Sequence, residues 1–155
     1  MRVEMPSNQP IVLLKEINGS RFLPIWVGAV EATAIAFAQQ GVEPPRPLTH
    51  DLTQIIIEEL EATMVAVHIT HIQDGVFYAD IQIRDAGGSN HSISARPSDA
   101  IALALRAKAN ILATAQLLEE IGIEIPNEGE PGDENQEVER FREFLDQIKP
   151  EDFAG

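Results

Sequence analysis

The sequence predicts an α+β fold: an antiparallel or mixed sheet of hairpins packed against several helices, in a single domain with a C-terminal helical extension. Three observations lead there. Short runs alternate apolar and polar residues with the period of a strand and are joined by Asn-Gly, Asp-Gly and Gly-Gly. Between them stand longer runs with helical spacing, opened by Gly or by Arg-Pro. After residue 125 the composition turns polar, Pro/Gly-rich and acidic.

Taken in order, Ile11-Val12-Leu13-Leu14 and Phe22-Leu23-Pro24-Ile25-Trp26-Val27 form a hairpin around Asn18-Gly19, a pair that tolerates positive φ. Pro24 cannot donate to a ladder, so the second run is expected at an edge or as an irregular strand. Ala29 to Gln40 is alanine-rich and apolar on nearly every side, which predicts a helix buried on several faces or packed against another chain, with Gly41 as its stop. The proline loop around Pro44, Pro45 and Pro47 cannot be helical. It leads into a helix from His50 to Ala62, for which Thr49 is the expected N-cap. Val65, Val67 and Ile69 alternate with Ala66, His68 and Thr70, and Asp74-Gly75 turns this strand into Phe77, Ala79, Ile81 and Ile83. Strict alternation places His68 and His71 on opposite faces, where they cannot share a site. Gly87-Gly88 turns the chain into His91 to Ala95. Arg96-Pro97-Ser98-Asp99 opens a third helix over 100–109, and a fourth runs from Thr114 to Ile121 after the short apolar piece Ile111-Leu112. The expected organisation is a domain over 1–125, a linker over 126–136 and an acidic amphipathic helix or tail over 137–155, with Val138, Phe141, Phe144, Leu145 and Ile148 on one face.

The chain has 155 residues, 44% of them hydrophobic, enough for one domain with a real core. It has no cysteine, which excludes disulfides, thiolate metal sites and cysteine nucleophiles. No apolar run reaches the length of a membrane span and the N-terminus lacks a signal segment, so a cytoplasmic location without membrane attachment is expected. The net charge is −14, and residues 116–155 supply −10 of it through 13 acidic and 3 basic residues. An acidic surface repels phosphate backbones, and there is no basic stripe.

Two helix starts share a design. Arg46-Pro47-Leu48-Thr49-His50-Asp51 and Arg96-Pro97-Ser98-Asp99 both place Arg-Pro before a hydroxyl residue and an aspartate. Such residues are favoured at helix starts because they satisfy unpaired N–H groups and complement the dipole. The same groups suit phosphate chemistry: a helix N-terminus attracts phosphate oxygens, Arg binds them bidentately, and carboxylates with an imidazole ligate a divalent ion. Glu31 is a rare polar residue in its helix. It is read either as a first-turn acid facing the dipole or as a member of such a site. His68, His71 and His91 are expected at the surface or the rim of the core.

Four blocks carry a resemblance. Leu23-Pro24-Ile25-Trp26-Val27-Gly28 with Glu31-Ala32, Arg46-Pro47-Leu48-Thr49-His50-Asp51-Leu52, Asp74-Gly75-Val76-Phe77-Tyr78-Ala79 and Ala95-Arg96-Pro97-Ser98-Asp99-Ala100 resemble, in order, blocks of the bifunctional nuclease family. The resemblance covers roughly residues 3 to 120. It implies an α+β fold, commonly oligomeric, with nuclease activity on DNA and RNA. Its polar positions here are Glu31, Arg46, His50, Asp51, Arg96, Ser98 and Asp99. The chain departs from the pattern at Ser94, where many relatives carry an acid, and it begins close to the first block.

The leading expectation is therefore a phosphodiesterase assisted by Mg²⁺ or Mn²⁺. Asp51 and Asp99 hold the metal, with Glu31 as a candidate third ligand, and His50 acts as ligand or general base. Arg46, Arg96 and Ser98 bind a nucleic-acid substrate, single-stranded or small given the charge. A homo-oligomer is expected. The alternative is a non-catalytic interaction module whose acidic tail recruits a basic protein and whose two helix starts are caps tied by Arg–Asp pairs. A third reading is hydrolysis of another small phosphoester.

Overall fold

The computed structural model describes residues 2–4 and 9–124, with side-chain surroundings from residue 9 onward. The linker expected over 126–136 and the helix expected over 137–155 lie outside the described residues.

The architecture is α+β, with two four-stranded sheets and four helices among the described residues. The first sheet is antiparallel, in the order β1 (Arg2–Glu4), β2 (Ile11–Lys15), β3 (Arg21–Trp26), β8 (Ile123–Glu124). The second is mixed: β6 (Asn90–Ala95), β5 (Val76–Arg84), β4 (Thr63–Gln73), β7 (Asn110–Ala113), with β4 and β7 parallel. The helices are α1 (Ala29–Gln40), α2 (Thr49–Glu59), α3 (Pro97–Ala107) and α4 (Ala115–Ile121). One apolar core runs through both sheets, from Val12, Leu23 and Ile25 to Val67, Ile69, Ile101 and Leu117.

Local chemistry explains most boundaries. The β2–β3 hairpin forms, although neither Asn18 nor Gly19 takes positive φ in the loop over 16–20, and β8 pairs only with Arg21 and Phe22. Pro24 therefore sits in the half of β3 that has β2 alone as partner, where a missing N–H costs no ladder bond. Asp74 and Gly75 both take positive φ, 53° and 76°, as a tight turn needs. Gly41 ends α1 in the left-handed region at φ 68°. Thr114 caps α4 by accepting the Leu117 N–H.

Four expectations are corrected. The helix at Thr49–Glu59 is capped by Leu48, not Thr49: Thr49 is already helical, and Asp51 reaches back to accept the Leu48 N–H at 3.0 Å. It ends at Glu59 rather than Ala62, because Glu61 adopts φ 57°, outside the helical region. The alanine-rich α1 is not buried on several faces, since only Ala32 and Ile35 are buried and Val30 is 77% exposed. It packs against α3.

The fourth correction concerns β4, whose alternation is broken by two irregularities, between Met64 and Ala66 and between Ile69 and His71. Met64 takes the inward position expected of Val65, which is left 41% exposed. At the second bulge Thr70 is the extra residue. His68 pairs with Asp80 and His71 with Tyr78, and these partners are two apart on β5, so the two histidines share one face.

Helix α3 organises the site. It is buried from Pro97 to Ala104 except for Asp99, and it packs against β4 and β5 on one side and against α1 and α2 on the other. By contrast, α2 buries no residue: Leu52, Ile55 and Ile56 are half exposed and Leu60 is 70% exposed.

Candidate active site

The start of α3 follows directly from β6. Arg96 keeps extended backbone (φ −68°, ψ 143°) and Pro97 begins the helix, where a residue without an N–H loses nothing. Asp99 in the first turn does not cap the helix. Its Oδ2 accepts from Arg96 Nε at 2.8 Å, and its Oδ1 lies 2.9 Å from His50 Nε2 at the start of α2. Arg96 Nη2 also donates to Glu31 Oε1 of α1 at 3.1 Å. One chain of contacts, Glu31–Arg96–Asp99–His50, thus ties the beginnings of three helices together.

These four side chains line an open cleft of ≈ 600 Å³, together with apolar Val30, Leu48 and Leu103 and the hydroxyl residues Thr33, Thr49 and Thr53. Their exposure differs in a useful way: the Arg96 side chain is 63% exposed, whereas Glu31, His50 and Asp99 are at 18%, 14% and 28%. The guanidinium is the reachable group and the others stand behind it. Gly28 makes room for this arrangement. A Cβ there would meet the flexible end of Glu31, so the glycine ahead of α1 leaves the carboxylate room to reach Arg96, while its φ of −71° makes no demand for glycine.

Burial pushes the Asp99 carboxyl up, but the hydrogen bonds from Arg96 and His50, with their charges, outweigh it and hold its pKa below the usual value. An ionised Asp99 accepts only, so His50 Nε2 must be the donor, and in the neutral ring Nδ1 is then the basic nitrogen. The Arg96 pKa is raised by hydrogen bonding to Asp99 and by Glu31. With neutral His50 the four groups sum to a charge of −1, and protonation of the ring brings them to zero.

Asp51 stands apart. Arg106 Nε donates to its Oδ1 at 2.7 Å, and the Arg106 side chain is only 9% exposed. The same guanidinium donates to Ala102 O at 2.8 Å and Ala34 O at 3.0 Å. Hydrogen bonding from Arg106, joined by that from the Leu48 backbone, keeps the Asp51 pKa low. Asp51 lines a smaller hollow beside Pro44 and Pro47, not the cleft.

Of the residues singled out in the sequence, the structure brings Glu31, His50, Arg96 and Asp99 together. It places Asp51 on Arg106, turns Ser98 into the core at 7% exposure, and leaves Arg46 on the surface without an ion pair among the described residues. The arrangement does not fit a metal held by Asp51 and Asp99. Each is turned to a different guanidinium, and among the described residues no three His, Asp or Glu side chains stand together as a metal-binding group. Arg106 is the residue that sequence reasoning missed. Its signal was present, since a cation near the end of a helix as apolar as Ala100-Ile101-Ala102-Leu103-Ala104-Leu105 needs a partner.

Comparison with known proteins agrees with the four sequence blocks. The model of the bifunctional nuclease domain matches residues 12–126. An uncharacterised protein of Mycobacterium tuberculosis (strain CDC 1551 / Oshkosh) is 49% identical over 159 residues, an alignment spanning 100% of this chain and 94% of that protein. Its counterpart in strain ATCC 25618 / H37Rv matches equally. Bifunctional nuclease 1 of Oryza sativa subsp. indica is 26% identical over 117 residues, covering 74% of this chain and 35% of the plant protein.

Proposed function

The chain belongs to the bifunctional nuclease family, and from that premise we propose that it hydrolyses phosphodiester bonds of DNA and RNA at the Glu31–Arg96–Asp99–His50 cluster. The observation that carries the reading is the His50–Asp99–Arg96 contact, which joins residues from two separate blocks in one open cleft.

The chemistry follows from the donors. Asp99 orients the ring through Nε2–H and stabilises the imidazolium once it forms. Nδ1 of His50 removes the proton of an attacking water, or of a ribose 2′-hydroxyl in RNA, as the oxygen bonds to phosphorus. The P–O bond to the leaving oxygen breaks, and that oxygen takes a proton from solvent. The exposed Arg96 fork holds non-bridging oxygens, and Glu31 keeps the fork aimed. The net −1 of the cluster opposes a phosphate until a proton or a cation offsets it. A divalent ion such as Mg²⁺ or Mn²⁺ would supply that offset.

The test compares wild type with Asp99→Asn, from identical preparations, on single-stranded DNA and RNA with Mg²⁺, with Mn²⁺ and with chelator. Cutting by wild type and a folded but inactive variant support the proposal. Equal cutting by both proteins refutes the assignment. Chelator reads the metal requirement separately.

A second reading, association, is favoured by α2. A short helix that buries none of its apolar residues gains little from tertiary packing, and such a patch marks an interaction surface. We infer that a second copy of the chain covers it. Light scattering that finds only monomer would remove this reading. A basic protein recruited by the acidic tail is the corresponding proposal for residues outside the described region, and pull-down with and without residues 126–155 tests it.

A further inference from the structure

Helix α2 carries an apolar stripe that its own chain leaves open, and the stripe runs into the cleft. Leu48, Leu52, Ile56 and Leu60 stand four residues apart, so they lie one above another on a single face, and all are 47% to 70% exposed. Ile55 is exposed beside them. The opposite face holds Ile57, which packs against the core, and His50, which reaches Asp99. Leu48, the first residue of the stripe, is one of the side chains lining the cleft, and Thr49 and Thr53 of the same helix are two more.

The charges of α2 are unfavourable within one chain. Glu58 and Glu59 stand in its last turn, where the negative end of the helix dipole repels them, no basic residue offsets them there, and Glu61 follows. At the other end, exposed Arg46 precedes the positive end of the helix and has no ion pair among the described residues. A second α2 lying antiparallel to the first corrects both ends, because each acidic end then runs beside the other helix's start and its Arg46. A two-fold axis also matches the stripe to itself. The pairs Leu48–Leu60 and Leu52–Ile56 share one midpoint, so both can face each other across that axis at the usual interhelical distance of about 8–10 Å. A parallel arrangement would instead set acid against acid and arginine against arginine.

We propose that two copies of the chain pack α2 against α2 antiparallel, and that Leu60 of each copy completes the apolar rim of the other's cleft at Leu48. The inference rests on the reading that a second copy covers α2, and adds to it an orientation and a contribution to the site. The cleft then belongs to both copies: the Glu31–Arg96–Asp99–His50 cluster comes from one, and part of the apolar wall from the other. Water displaced from that rim leaves the charges behind it in a lower dielectric, where they interact more strongly.

The experiment is site-directed cross-linking of the full chain. The protein has no cysteine, so introduced ones report alone. Leu48→Cys, Leu60→Cys and the double variant are treated with a short bis-maleimide and sized on a denaturing gel. Within one chain the two positions lie about 18 Å apart along the helix, farther than such a linker reaches, so a covalent dimer reports contact between copies. The expected result is covalent dimer from the double variant and from a mixture of the two single variants, with little from either single variant by itself. Dimer from the single variants alone means parallel packing, and overturns the proposal while a second copy still covers α2. No cross-link in variants that remain paired by sedimentation velocity places the contact elsewhere and also overturns it. A monomeric wild type overturns it together with the association reading. If losing the leucines prevents pairing, the charges decide with the stripe intact. Arg46→Glu and Glu61→Arg are each expected to weaken pairing at least about tenfold, from two like-charge contacts per pair. An equal mixture of these two variants is expected to pair again, since each meets the opposite charge on the other. A mixture that pairs no better than either variant alone refutes the antiparallel arrangement. Neither arm measures cleavage, so the nuclease reading stands or falls separately.

Discussion

Asp51 and Arg106 meet at 2.7 Å, and through that contact the first turn of α2 is fixed to the last turn of α3. Its neighbour in sequence, His50, reaches the other end of the same helix at Asp99. Two adjacent residues thus clamp one helix start against both ends of a second helix. The Arg106 fork also holds the carbonyl of Ala34, so α1 is included. Arg106 does not itself line the cleft, yet through Asp51 it fixes the helix start that carries His50.

Asp51→Asn is expected to cost about 2 kcal/mol of stability. Breaking a fully buried pair costs about 3–5 kcal/mol, and the figure is reduced because the Asp51 side chain is 25% exposed. If Asp51 served only as a cap, Asn would replace it for about 1 kcal/mol or less. Urea unfolding distinguishes the two, and a midpoint equal to that of wild type would refute the clamp.

Arg106→Lys should lose more than a conserved charge suggests. A single ammonium cannot reproduce three donors aimed at Asp51, Ala102 and Ala34. The expected result is a lowered kcat with KM little changed, because His50 is displaced while Arg96 is not. A change confined to KM would contradict a positioning role.

Asp99→Asn should leave the fold intact and reduce the rate by about 10²–10⁴, the range for a disabled general base. Circular dichroism verifies the fold, and an initial-rate assay on single-stranded RNA reads the loss. Retention of more than a tenth of the wild-type rate would exclude the His50–Asp99 dyad.

Gly28→Ala should change function more than stability. The added methyl meets the flexible end of Glu31 and not backbone, so the carboxylate moves off Arg96 while the melting temperature holds. The measurement is KM for an oligonucleotide alongside a thermal melt. A large fall in melting temperature with normal KM would reverse the argument.

Stability should fall in acid through these same carboxylates. Asp51 and Asp99 have pKa values below their ordinary ones in the folded chain. Their contribution is then complete above the unfolded value, about 3.9, and is lost as pH falls through the lower folded values. Urea midpoints between pH 6 and pH 2 should drop most steeply below about pH 4. Asp51→Asn should flatten part of that slope. Asp85, held low by His91 and by backbone N–H groups of its turn, contributes to the background that remains.

The amino-acid sequence by itself determined what depends on neighbours along the chain. Asp74-Gly75 and Gly41 supply the positive φ that a turn and a helix end require. Pro97 marks a helix start, and four ordered blocks carry the family. Glu31 was legible as a rare polar residue in its helix, and His50, Arg96 and Asp99 as members of two Arg-Pro helix starts. Tertiary structure alone decided the rest. Thr70 became an extra residue in β4, so His71 crossed to the face of His68, because the pairing with β5 and not the local period sets which way each side chain points. Asp51 went to Arg106 rather than to Asp99, because a guanidinium shut away from water must find a carboxylate within reach. Whether α2 covers its apolar residues depends on which surfaces are present to meet it, and among the described residues none does so fully. Turn chemistry and helix capping act over a few residues, whereas register, ion pairing and burial act between segments that meet only when the chain has folded.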